Sequence, residues 1–262
     1  MKKFFAFMGI VWQQTLAYRA EHVVWFLLEL FPLLIISFFW LYSLRAGRVS
    51  PSQFSLLIFY YLANLLIDRL TAVHFDDWVA DDIKDGKISI YLLKPFSYQI
   101  FLAASELTWR ISGLIFLLPS LLLFIPFLSF TTPIHLSPGN IFLVLLFLPV
   151  IFLHRFFISF LIGTSAFWFS QSKAFSHFKW MCEGIFGGSW LPLYFFPLWL
   201  QNFSSLTPFY YWHYFPVQML LGQVTGNPGL NFLAAFVWLF ILWYLAKVVW
   251  KLAIKDYTAV GN

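Results

Sequence analysis

The sequence predicts an all-α membrane protein with about six transmembrane helices. Three observations lead there. Of 262 residues, 61% are hydrophobic and only 10% are charged, a balance that excludes an ordinary soluble domain. The 35 Phe and 13 Trp exceed what a soluble core can hide, whereas a bilayer accepts them and draws Trp and Tyr to its interfaces. Apolar stretches recur at the length that counts: a hydrocarbon core of about 30 Å needs about 20 helical residues. They fall near 22–44, 54–73, 106–129, 139–170, 178–200 and 230–254.

Residues 1–20 precede the first span and read as an interfacial amphipathic helix. Phe4, Met8, Val11, Trp12 and Thr15 share one face, with Lys2, Lys3, Gln13, Gln14 and Arg19 along a polar edge. The segment lacks a small-residue cleavage site, so it is not read as a removed signal peptide. Basic residues orient the spans. Lys2, Lys3 and Arg19 precede the first, Lys84, Lys87 and Lys94 lie between the second and third, and Lys173 and Lys179 lie between the fourth and fifth. Lys247, Lys251 and Lys255 close the chain, while the opposite side carries only Arg45 and Arg48. The positive-inside rule then makes both termini cytoplasmic, and an even number of spans satisfies it. The net charge of +5 is thus a matter of topology, not of nucleic acid. A single cysteine, Cys182, excludes an internal disulfide framework.

The connection into the last span, 201–229, is no ordinary loop. With Pro192 and Pro197 before it, Pro208 and Pro216 inside it, and dense aromatics throughout, it is too apolar for water and too broken for one straight helix. An outer re-entrant or interfacial helical element fits it. No internal repeat is evident, which disfavours a carrier built from two inverted halves.

One polar island stands among the apolar stretches. Residues 76–97, DDWVADDIKDGKISIYLLKPFS, hold five of the eleven acidic residues and three lysines. Asp76 or Asp77 can cap a short helix, Asp81 and Asp82 continue it, Gly86 can end it in the left-handed conformation, and Pro95 stops a second apolar run. Inside the spans, ionisable residues cost about 2.5–3.5 kcal/mol each and call for a reason. Arg155 and His154 sit mid-span, and Glu29, just before Pro32, is the acidic residue that matches them in depth; these three are the candidate transport pathway. Glu106 and Arg110 form an i,i+4 pair, Asp68 and Arg69 read as interfacial, and Glu183 lies beside Gly184, Gly187 and Gly188, where helices can pack closely.

Catalytic signatures are absent: no P-loop, no zinc-type histidine pair, no nucleophile elbow, no CxxC. Two alternatives remain open on the residues alone. Asp76, Asp77, Asp81 and Asp82 on one helix could hold Mg²⁺ against a diphosphate, as an intramembrane transferase would. Glu29, His154 and Arg155 could serve a secondary transporter or channel.

The polar island also resembles the first cytoplasmic loop of ABC-2-type permeases. Gly86, Ile88, Leu92, Leu93, Lys94, Pro95 and Ser97 stand at that loop's characteristic positions, with Ile88 and Lys94 where Leu and Arg are more usual. The closing KDYTAVGN is similar to the family's end, with Asp256 in place of a second basic residue. The layout of the whole chain agrees. The resemblance implies a non-catalytic transmembrane permease subunit of an ATP-driven exporter in a bacterial inner membrane, forming its substrate pathway as a dimer with a second copy or a paralogous permease. ATP and Mg²⁺ would be handled by separate cytosolic ATPase subunits, with no cofactor in this chain. It also implies that Asp76, Asp77, Trp78, Val79, Asp81, Asp82, Ile83, Asp85 and Gly86 form the coupling helix. Trp78, Val79 and Ile83 would be its apolar anchors, and Asp77, Asp81 and Asp85 its charged face.

Overall fold

The computed structural model describes Met8, Gly9, Trp12, Gln13, residues 19–122, Phe127, and residues 133–224 and 226–255. Most of the expected interfacial helix over 1–20, and the closing segment from Asp256, lie outside the described residues. Every regular element among those described is helical. In chain order these are α1 (Arg19–Arg45), α2 (Pro51–Thr71), α3 (Asp76–Lys84), α4 (Ile88–Leu92), α5 (Tyr98–Leu122) and α6 (Pro138–Thr164). Then come α7 (Lys173–Phe186), α8 (Leu198–Ser205), α9 (Tyr214–Leu220) and α10 (Pro228–Lys255), with single 3₁₀ turns at Ser165–Phe167, Leu193–Phe195 and Pro208–Tyr211. Three helical stretches, Pro51–Lys84, Pro138–Phe167 and Pro228–Lys255, are long and apolar enough to cross a membrane by length and composition. This is an all-α polytopic membrane protein.

Local chemistry explains the boundaries. Gly47, at φ 67°, closes α1 in the left-handed conformation. Ser50 then opens α2 with a reciprocal capping box to Gln53, and Pro51 supplies a first-turn residue with no N–H to leave unsatisfied. Helix α6 is the spine. It packs against α10, α3, α2, α9 and α7. On its long flank Ala235, Leu242 and Ala246 of α10 are buried, while Leu233, Phe236, Phe240 and Tyr244 face outward, as lipid-facing positions should.

The stretch 178–200 departs from the expected fifth span. Helix α7 stops at Phe186, after 14 residues or about 21 Å. Gly188 adopts φ 74°, and the Tyr60 hydroxyl of α2 donates to its carbonyl at 2.7 Å. The amide of Tyr214 takes the Gly187 carbonyl at 3.1 Å. Pro192 and Pro197 then stand just before new short pieces, the 3₁₀ turn Leu193–Phe195 and α8, so α7 is not continued as one helix. Residues 201–229 continue as short pieces, α8, one 3₁₀ turn and α9, before α10. Four of their aromatics, Tyr210, Tyr211, Trp212 and Phe215, are buried against α2 and α6, with Phe147 edge-on to Phe215 at 5.5 Å, while Phe203 is half exposed.

Candidate functional site

Helix α3 sits where α6 ends. Gly163 makes the contact feasible, since a Cβ there would lie 2.6 Å from Val79 Cβ and 2.9 Å from the Asp76 carbonyl. Val79 (0% exposed) and Ile83 (7%) point into a cluster with Phe75, Phe156, Phe160 and Tyr98. Neither is on offer as a docking anchor, which corrects the expectation drawn from the sequence. The amphipathic period of α3 was legible, but not which face met protein. Trp78 (51% exposed) is not packed away like them, and Ile90 and Leu93 (88%) of the next segment are exposed as well.

The carboxylates of α3 also have different work from the expected cap. Phe75 occupies the N-cap position with no side-chain hydrogen bond. Asp76 instead accepts from Lys179 at 3.0 Å, Asp77 from Ser176 at 2.9 Å, and Asp81 from Lys173 at 3.1 Å. All three partners lie on α7, spaced three apart along one stripe. Asp82 turns the other way and accepts from the Tyr98 hydroxyl at 2.9 Å. Carboxylates spent on four separate partners do not converge on a common point, which is what a Mg²⁺–diphosphate site would need. Gly86, at φ 71°, ends the segment, and beside it Asp85 pairs with Lys87 at 2.7 Å, raising the Lys87 pKa.

The same α7 stripe continues inward to Glu183, which meets Arg155. The guanidinium, 3% exposed, donates Nη1 to Asp68 at 2.6 Å and Nη2 to Glu183 at 2.6 Å. His213 Nε2 lies 2.6 Å from Arg155 Nη2 and 2.8 Å from the Glu183 carboxylate, and its Nδ1 faces Asn64 Oδ1 at 3.2 Å. Trp212 covers the guanidinium, its ring centroid 5.1 Å from Cζ. Helices α2, α6 and α7 and the segment before α9 thus converge on one cation. The side chain of Glu29, expected as its partner, lies outside the described residues. The carboxylates found there are Asp68, read from sequence as interfacial, and Glu183, read as a packing position. His154, one residue along, is rotated to the other face of α6, where Nε2 donates to the Ala235 carbonyl of α10 at 2.8 Å.

Asp68, Glu183 and His213 bring ligand atoms within 4.8 Å of one another, close enough for a metal ion. Arg155 already stands among them. A divalent cation would be pressed against a fixed guanidinium, so the set reads as the cradle of Arg155.

These groups help line a cavity of ≈ 1170 Å³. Asn64 and Asp68 of α2, Asp76, Asp77 and Trp78 of α3, Glu106 and Arg110 of α5, Lys179 of α7 and, beyond it, Ser189 and Trp190 line it too. The residues that α1 contributes are all apolar: Pro32, Leu33, Ile35, Ile36 and Phe39. A spacing signal was available in the sequence, Asn64 and Asp68 four apart on α2 and Lys173, Ser176, Lys179 and Glu183 at intervals of three or four on α7.

A family model described as ABC-2 family transporter protein matches residues 28–261, nearly the whole chain. No curated protein and no solved structure matches it.

Proposed function

We propose a function on the premise that this chain belongs to the ABC-2 transporter family, as the match over residues 28–261 shows. It is a transmembrane permease. In our reading it is the non-catalytic subunit of an exporter of a bacterial inner membrane, working as a dimer with both termini in the cytoplasm. Separate cytosolic ATPase subunits dock on α3 and supply the ATP chemistry, for which this chain has no P-loop.

The observation that carries this reading is the attachment of α3. It is seated on α6 through Gly163 and bonded to α7 through Asp76–Lys179, Asp77–Ser176 and Asp81–Lys173, while Trp78 remains half exposed. A short helix held so firmly behaves as a rigid lever. Force applied at Trp78 passes along α7 to Glu183 and so to Arg155, in the wall of the cavity. An exposed aromatic beside a charged rim is the composition of a docking surface.

The test separates outward from inward side chains. Trp78→Ala is expected to lower ATPase co-purification several-fold while leaving the thermal midpoint unchanged. Ile83→Ala removes a buried side chain and is expected to destabilise by about 2–5 kcal/mol. If Trp78→Ala combined with Leu93→Ala still co-purifies with the ATPase and keeps substrate-stimulated hydrolysis, α3 is not the contact.

A further inference from the structure

The lysines of this protein divide by what they touch. Lys87, Lys173 and Lys179 pair with Asp85, Asp81 and Asp76, and Lys84 donates to the Ser170 carbonyl. Lys94, Lys247, Lys251 and Lys255 are exposed and pair with no carboxylate among the described residues. We infer that Lys94, Lys247 and Lys251, with the aromatic rings between them, form a binding edge for anionic phospholipid headgroups. Such a lipid belongs to the bilayer around the permease and is not its cargo, and the edge works whichever side of the membrane it faces.

Helix α10 sets the depth. Its 28 residues are about 42 Å long, against about 30 Å of hydrocarbon. From Leu230 to Leu245 its exposed side chains are uncharged, Leu233, Phe236, Phe240 and Tyr244 among them. The first charge is Lys247, about 29 Å along the axis from Pro228, where a helix entering the hydrocarbon at its first turn leaves it. Trp243, Lys247, Lys251 and Lys255 follow at intervals of four, all exposed, with Ala246 and Ala253 buried behind them. The Lys247 ammonium stands over the Trp243 ring, 5.3 Å from its centroid. A cation drawn back over an interfacial indole sits at headgroup level, not out in water.

Lys94 joins the edge from another segment. Its ammonium lies over the rings of Tyr91 and Phe96, at 4.5 and 5.9 Å. Tyr91 meets Tyr98 at 4.8 Å, and Tyr98 stacks on Trp250 of α10 at 5.8 Å. This run of rings sets Lys94 beside the end of α10. Neighbouring carboxylates are engaged, Asp82 by the Tyr98 hydroxyl and Asp85 by Lys87, so an anion from outside is left to meet these ammonium groups. A zwitterionic head brings its own cation against them. An acidic protein surface would have to cover Tyr244 and Leu252, which flank the stripe and are 55% and 50% exposed. A phosphate on a glycerol backbone, with acyl chains below it, matches both the cations and the apolar surface.

The test titrates purified permease in detergent with phosphatidylglycerol and, separately, with phosphatidylcholine of the same acyl chains, counting bound lipid by native mass spectrometry. Phosphatidylglycerol is expected to bind at least ten-fold more tightly, and less tightly as salt is raised. Lys94→Gln, Lys247→Gln and Lys251→Gln together should weaken it at least ten-fold at an unchanged thermal midpoint. Lys84→Gln, Lys87→Gln and Lys173→Gln together remove the same charge and should change it less than two-fold. Should the first triple variant fail to fold, Lys247→Gln and Lys251→Gln are read singly, each expected to weaken binding at least two-fold. Equal affinity for the two lipids, equal losses in the two triple variants, or displacement of phosphatidylglycerol by equimolar inorganic phosphate overturns the proposal. So does a Lys94, Lys247 and Lys251 variant that keeps phosphatidylglycerol and instead loses ATPase co-purification, which marks the edge as a protein contact.

Discussion

Replacing Arg155 with leucine should be strongly destabilising. The side chain is 3% exposed and donates two bonds of 2.6 Å to carboxylates on different helices. Charge-assisted bonds contribute about 1.5–3 kcal/mol each, and removing one member of a buried ionic network costs about 3–5 kcal/mol, chiefly because the remaining charges lose their partner. Here two carboxylates would be left facing one another. Asp68 keeps 36% of its side chain in contact with solvent and sheds part of the penalty, whereas Glu183, at 17%, bears most of it. Arg155→Leu should therefore lower the thermal midpoint in detergent by roughly 10 °C, taking about 2–4 °C per kcal/mol for a chain of this size. Adding Glu183→Gln should recover more than half of the loss, and adding Asp68→Asn less. The assay is size-exclusion profiling after graded heating. An Arg155→Leu protein that melts within about 2 °C of the parent, or that is destabilised further by Glu183→Gln, would refute the reasoning.

Two further expectations concern how α3 is held. Gly163→Val drives a side chain into Val79 and the Asp76 carbonyl, at a cost of about 1–3 kcal/mol, and should lower ATPase co-purification; Val79→Ala in the same chain should restore part of it. Lys173 and Lys179 both pair with α3 but differ in burial, their side chains being 50% and 11% exposed. Lys173→Ala should change the thermal midpoint by less than about 1 kcal/mol equivalent, whereas Lys179→Ala strands the buried Asp76 and should cost clearly more. Equal effects of the two substitutions would contradict the geometry.

How much of this was legible follows from what periodicity encodes. Composition and apolar run length speak to solvent, so the all-α membrane class could be read directly. The breaker at Gly86 was legible too, because it is local backbone chemistry. Contacts between distant segments were not. Asp68 stands at the end of an apolar stretch, and its sequence neighbours describe an interface, yet it meets Arg155, 87 residues away, because α2 and α6 pack side by side. Val79 and Ile83 were equally ambiguous, since an apolar face on a loop helix looks the same whether it docks on its own protein or on another. The glycine at 163 resolves it, but only once α3 lies across it. The break after Phe186 escaped the apolar count because Gly187 and Gly188 weaken a helix without lowering its hydropathy much.

The polar stripe of α7 makes most sense as transmission. Buried ionic networks are poor sources of stability, and well-packed apolar residues often serve as well or better, so α7 needs another reason to carry Lys179 and Glu183. Geometry suggests one. Bonds of 2.9–3.1 Å between α3 and α7 tolerate about half an ångström before they weaken, so a larger displacement of α3 must either break all three or carry α7 with it. At its far end α7 stops at Gly187 and Gly188, where Gly188 holds a positive φ and is tied to α2 by Tyr60. A helix gripped at one end and pinned beside glycines at the other is a lever with a pivot. In the proposed reading, the part that swings most lies beside α3. Glu183, one turn from the pivot, moves least. The displacement reaching Arg155 is thus smaller than the one applied, and the force correspondingly larger, which suits parting the 2.6 Å bond between Glu183 and Arg155.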